Sequence, residues 1–183
     1  MSGLLMERKA VISDCGQYRY TLSRLWSDER PCVFVMLNPS TADADIDDPT
    51  IRRCVGFARR EGCGSIFVVN LFAFRATSPK DMRAASDPTG PDNDWVLRRT
   101  FDTALEAGSP VIAAWGAHGK FKDRDETVHK IARAAGVHLH CLGRTNDCSP
   151  RHPLYLSNDA RLSAWGEPPY SVLLREKGAD DAG

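Results

Sequence analysis

No apolar run in this sequence approaches the roughly 20 residues that a membrane-spanning helix needs, and the run from Val33 to Leu37 is of strand length. Neither sign of charge is in excess, with 24 Lys and Arg against 24 Asp and Glu. Proteins that coat nucleic acid non-specifically displace counterions with many cations, so neutrality disfavours that class while allowing a local basic groove. The six cysteines (Cys15, Cys32, Cys54, Cys63, Cys141, Cys148) form no C-x-x-C pair. That removes the usual spacing of a zinc or iron–sulfur site and leaves free thiols, several of them in the core, as the reading. No repeat, linker or low-complexity block is present. The amino terminus also lacks the basic-then-apolar order of a secretory leader, so the expected compartment is the cytoplasm. What is present is ordinary globular composition, 42% hydrophobic and 26% charged over 183 residues. One domain over residues 1–183 is expected, with its core at about 30–157, an irregular amino-terminal section and a carboxyl-terminal tail.

Along the chain, apolar runs alternate with helical patterns. A first strand or hairpin is expected over Tyr18–Leu25, followed by a doubly covered strand at Cys32–Leu37. Asp48-Pro49 opens a helix, with Asp48 as cap and Pro49 at the first helical position. Its stripe is Ile51, Cys54, Val55 and Ala58, and it ends near Gly62. Ser65–Leu71, Val111–Trp115 and Val137–Leu142 read as further strands, and Asp94–Ala107 and Glu126–Ala135 as helices stopped by Gly108 and Gly136. The pattern predicts an α/β protein with three layers (α/β/α) around a mainly parallel four-stranded sheet. Ligands of such sheets bind beyond the carboxyl ends of the strands.

Four segments fall at those ends. In Leu37-Asn38-Pro39-Ser40-Thr41, Asn38 precedes proline and is held extended, so its amide can point into the cleft and hold a water or a polar ligand edge. The aspartates behind it (Asp43, Asp45, Asp47, Asp48) allow a hard-cation reading, but no glycine shapes a tight loop, and Asp47 and Asp48 suit a helix start. Asn70 closes a buried strand, and its paired donor and acceptor suit a nucleobase edge. Phe72 and Phe74 can stack on a ring or fill the core, and Arg75 can meet a phosphate or an internal carboxylate. Trp115-Gly116-Ala117-His118-Gly119-Lys120 offers glycines and a cation before a helix, without P-loop spacing. In Gly143 to Ser157, His152 lies between Arg151 and Pro153. The adjacent cation favours a neutral imidazole able to donate to charge developing on a leaving group.

Several of these stretches together resemble an uncharacterised family of bacterial and phage proteins known only as domain of unknown function 1643. They are Leu37 to Asp43, Asp47 to Cys54, Asn70 to Ala73 with Arg75, Trp115-Gly116, and Arg151 to Tyr155. The same order of motifs is more distantly similar to the uracil-DNA glycosylase superfamily. That similarity implies a three-layer fold in which Asn38 of Asn38-Pro39 positions the attacking water and Asn70 reads the base edge. It further implies that His152 faces the departing base, and that the loop with Leu154 and Tyr155 wedges the duplex. Pro39 and Phe72 join Asn70 at the base, and Ser40, Thr41, Arg75, Lys120, Arg144 and Arg151 join Leu154 and Tyr155 on the nucleic-acid side. The chain departs from the superfamily at Met36 and Ser40, where glycines are usual, and at Leu154, where serine is usual; the iron–sulfur cysteines are absent.

The leading expectation is a nucleobase-binding protein that hydrolyses an N-glycosidic bond in DNA without a cofactor. Three alternatives stay open: a non-catalytic nucleic-acid or nucleotide-binding module, an enzyme of small nucleosides or nucleotides, and a metal-dependent hydrolase built on the aspartates. DNA or a nucleotide is the expected partner, and a membrane is not.

Overall fold

The computed structural model describes residues 6–40 and 48–167. Its strands are β1 (Glu7–Ile12), β2 (Arg19–Leu25), β3 (Pro31–Met36), β4 (Ser65–Asn70), β5 (Val111–Ala113), β6 (Leu139–Cys141) and β7 (Ser163–Ala164). Its helices are α1 (Pro49–Arg60), α2 (Pro79–Ala84), α3 (Asn93–Glu106) and α4 (Arg124–Ala134). Short 3-10 segments cover Ala117–Asp123 and Pro153–Tyr155. Among the described residues no helix is long and apolar enough to cross a membrane.

The sheet is larger and more mixed than the four parallel strands expected. Among the described residues seven strands join in the order β1-β2-β4-β3-β5-β6-β7. The inner four, β4-β3-β5-β6, are parallel, whereas β1, β2 and β7 add antiparallel neighbours. The extra strands come from a hairpin, β1 with β2, that pairs onto β4 through Leu22 opposite Val68. β1 is a solvent-facing edge strand with mostly exposed side chains, so it carries no apolar alternation to announce it.

Both faces of the parallel strands are covered, which is why they read as unbroken apolar runs. Val33 and Val35 of β3 face Leu97 and Phe101 of α3 and Val128 and Ala132 of α4. Cys32, Phe34 and Met36 face the opposite way, onto Ile51, Cys54, Phe57 and Ala58 of α1. Phe57 thus takes the inward place expected of Val55, which is half-buried. The Asp48 side chain caps α1 by accepting from the Ile51 amide at 2.8 Å. All six cysteines are free, and Cys32, Cys54, Cys63 and Cys141 are buried.

Candidate functional site

Pairing of β3 with β4 continues past their regular ends and sets the loops above them. Met36 lies opposite Asn70, and the amides of Leu71 and Phe72 then donate to the Met36 and Leu37 carbonyls at 2.8 and 3.0 Å. The Ala76 amide donates to Pro39 O at 3.0 Å, drawing the segment after β4 against Asn38. Beyond β5, Gly116 turns with φ 75° and donates to Pro150 O at 2.9 Å, which ties the loop after β5 to the loop after β6. A side chain at Gly116 would be strained at that φ and would point at His152, whose Cβ lies 3.9 Å from the added Cβ.

These loops border a cavity of about 770 Å³, open to solvent on one side, at the carboxyl ends of β3, β4 and β5. Asn38, Ser40, Asn70, Trp115, Arg151, His152 and Tyr155 line it, together with Arg19, Asp48 and His118. The volume lies within the 300–1,000 Å³ or so typical of small-molecule sites.

Asn38 is held in one orientation. Its Nδ2 donates to Pro39 O at 3.1 Å and to Ala76 O at 2.9 Å, and only an NH₂ group can satisfy two carbonyls. Oδ1 is therefore the acceptor left for the cavity. Asn70 is buried, and among the described residues no hydrogen bond occupies its side-chain amide, although its backbone carbonyl accepts from Asn93 Nδ2 at 3.1 Å. A buried amide at a cavity wall with open donor and acceptor positions is suited to a ligand that offers both.

His152 stands at the start of the Pro153–Tyr155 turn, where its Nδ1 accepts from the Leu154 amide at 3.3 Å. An accepting Nδ1 places the proton of the neutral ring on Nε2. Burial pushes the His152 pKa below the ordinary histidine value, and the Asp48 carboxylate opposes that shift. The imidazole is thus neutral for a reason other than the neighbouring Arg151 charge. Arg53 of α1 secures this turn, donating to Pro153 O at 3.3 Å and also to Leu156 O and Asn158 Oδ1.

Other expected site residues are placed elsewhere. Phe72 is fully buried and packs on Phe121 with ring centroids 5.7 Å apart, so it belongs to the core; the ring-bearing residues that line the cavity include Trp115, His152 and Tyr155. Pro39 is buried and contributes its carbonyl to the Asn38 amide rather than a ring face to the cavity. Arg75 donates to Gly16 O at 3.0 Å, Arg144 to Ala164 O at 2.7 Å, and Lys120 forms an ion pair with Asp147 at 2.9 Å. None of the three lines the cavity. Leu154 is exposed beside it, and Tyr155 lies at its rim, 5.8 Å from the His152 ring. Thr41, Asp43, Asp45 and Asp47 lie outside the described residues. Among the described residues no three His, Cys, Asp or Glu side chains converge as metal ligands do.

Arg19, the first residue of β2, carried no expectation from sequence. It lines the cavity at 7% exposure, and its Nε is buried without a partner. Burial, and then the Arg75 and Arg24 charges, push its pKa down to about 10, with Asp48 opposing. That shift corresponds to a cost on the order of 3 kcal/mol against a solvated guanidinium.

The family described as "Protein of unknown function (DUF1643)" matches residues 19–154. The chain belongs to this family. The matched span opens on Arg19 and closes on Leu154, so it includes the described walls of the cavity except Tyr155. No curated protein and no solved structure matches the chain.

Proposed function

We propose that this member of the DUF1643 family binds a nucleobase in the strand-end cavity and hydrolyses the N-glycosidic bond that attaches it, acting in the cytoplasm on DNA or on a smaller nucleotide. One observation carries the reading: both Nδ2 hydrogens of Asn38 are engaged by backbone carbonyls, leaving Oδ1 as the acceptor for the cavity that His152 also lines. The bond breaks through an oxocarbenium-like sugar, so the water needs orientation more than a strong base. Asn38 Oδ1 accepts a hydrogen bond from that water, Asn70 meets the base edge, and His152 Nε2–H donates to the departing base as negative charge develops on it. The similarity of Asn38-Pro39 and His152-Pro153 to motifs of the uracil-DNA glycosylase superfamily supports the same assignment, as does a four-stranded parallel centre within the sheet.

The small-nucleotide form of this reading has its own support. Lys120, Arg75 and Arg144, expected to track a strand, are engaged with protein acceptors away from the cavity. The test is release of free base from nucleosides, nucleotides and single- and double-stranded DNA containing uracil and other altered bases. Asn38→Ala and His152→Ala are each expected to slow release by roughly 10²–10³-fold. Absence of both release and binding across all substrates contradicts the proposal.

A further inference from the structure

Arg19 is an anomaly in a folded interior. Five N–H donors and a full charge sit at 7% exposure, and among the described residues no hydrogen bond or ion pair reaches the guanidinium. The nearby charges do not resolve this. Among the described residues, Asp48 is felt at Arg19 but uses Oδ1 to cap α1, and the other charges acting on Arg19 are the cations Arg75 and Arg24. The group faces the same cavity as Asn38, Asn70 and His152.

We propose that Arg19 is the recognition group for the phosphate of a free mononucleotide whose base occupies this cavity; the inference rests on the base-binding reading above. The planar fork of a guanidinium matches two phosphate oxygens, and a phosphate supplies the acceptors that the buried fork lacks. The amino-terminal turn of α1 lines the same cavity through Thr50 and Ile51, but the Asp48 carboxylate that caps it lines the cavity as well, so the attraction for the anion is assigned to Arg19 and not to the helix end. The cations favour a free nucleotide over a strand: Lys120, Arg75 and Arg144, which would follow a backbone of successive phosphates, hold protein acceptors and do not line the cavity, whereas Arg19 lines it and offers a site for one phosphate.

The test measures binding by calorimetry and thermal shift with five probes: inorganic phosphate, ribose 5-phosphate, a nucleoside, its 5′-monophosphate and a single-stranded oligonucleotide. The wild-type chain is expected to bind the monophosphate at least tenfold more tightly than the nucleoside, and to bind ribose 5-phosphate alone. Arg19→Met is expected to abolish that preference while keeping nucleoside binding, and to raise the Tm of the unliganded protein by removing an unpaired buried charge. Arg19→Lys is expected to keep part of the preference. Equal wild-type affinity for nucleoside and monophosphate overturns the phosphate assignment and leaves base binding intact. Ribose 5-phosphate binding without nucleoside binding keeps the Arg19 anion site and removes the base reading. Oligonucleotide preferred over mononucleotide overturns the free-nucleotide assignment, and a lowered Tm or unfolding in Arg19→Met shows a structural arginine and overturns the proposal.

Discussion

The His152 ring links local geometry to a pH dependence. Its Nδ1 accepts the Leu154 amide, so a proton added there would confront an N–H group and the ring would lose its anchored orientation. Burial already disfavours the charged form. Base release is therefore expected to hold constant through neutral pH and to fall on the acid side, below the ordinary histidine value of about 6.5. A pH–rate profile checks this, with the limb absent from the residual activity of His152→Gln. Stability follows the same sign. The unfolded chain takes up the proton first as pH falls through about 6.5, so His152 destabilises the fold progressively below that value and contributes no such loss above it. Arg19 shows why part of the site was hidden at this scale. An arginine between Tyr18 and Tyr20 reads as a polar position of a strand, and its place at the cavity depends on a long-range contact, the Arg19 amide donating to Ala73 O at 2.9 Å beyond β4.

At the scale of elements, α1 supports the site twice. Asp48 caps it and acts electrostatically on both His152 and Arg19. Asn also caps helices well, so Asp48→Asn is expected to change stability by less than about 1 kcal/mol. Losing the charge removes an influence that raises the His152 pKa, so the acid limb of the rate profile moves to lower pH. Thermal melts and the profile together measure both effects. One turn further on, Arg53 holds the Pro153 and Leu156 carbonyls. Arg53→Ala is expected to slow base release by roughly 10–100-fold through misplacement of His152, with substrate affinity changed far less. The helix caps and strand runs were legible in the sequence because Asp48-Pro49 and Cys32–Leu37 carry their signals locally. The fates of Lys120, Arg75 and Arg144 were not. Their acceptors, Asp147, Gly16 and Ala164, are brought to them by folding, and sequence proximity does not mark them.

For the whole molecule, one sheet separates two apolar clusters, with Phe101 of α3 on one side and Phe57 of α1 on the other. Truncating either to Ala is expected to cost about 3–5 kcal/mol. Because both clusters share the strands of a single sheet, each variant is expected to shift one cooperative denaturant transition rather than split it. Overlaid fluorescence and circular dichroism curves check that. The alternation of strands and helices followed from apolar periodicity alone. The width of the sheet did not, since β1 (Glu7–Ile12) is exposed and β7 is two residues long, and both depend on the neighbours they pair with. The cavity that results joins Asn38, Asn70 and His152 from three separate strand ends, and the reaction assigned to it is hydrolytic. Mass spectrometry of a nucleotide and of an oligonucleotide with altered bases, each incubated with the protein, tests that assignment most directly. Free base is expected from at least one of the two substrates with the wild-type chain, strongly reduced in Asn38→Ala; no release from either substrate with the wild-type chain, or equal release by Asn38→Ala, would contradict the assignment.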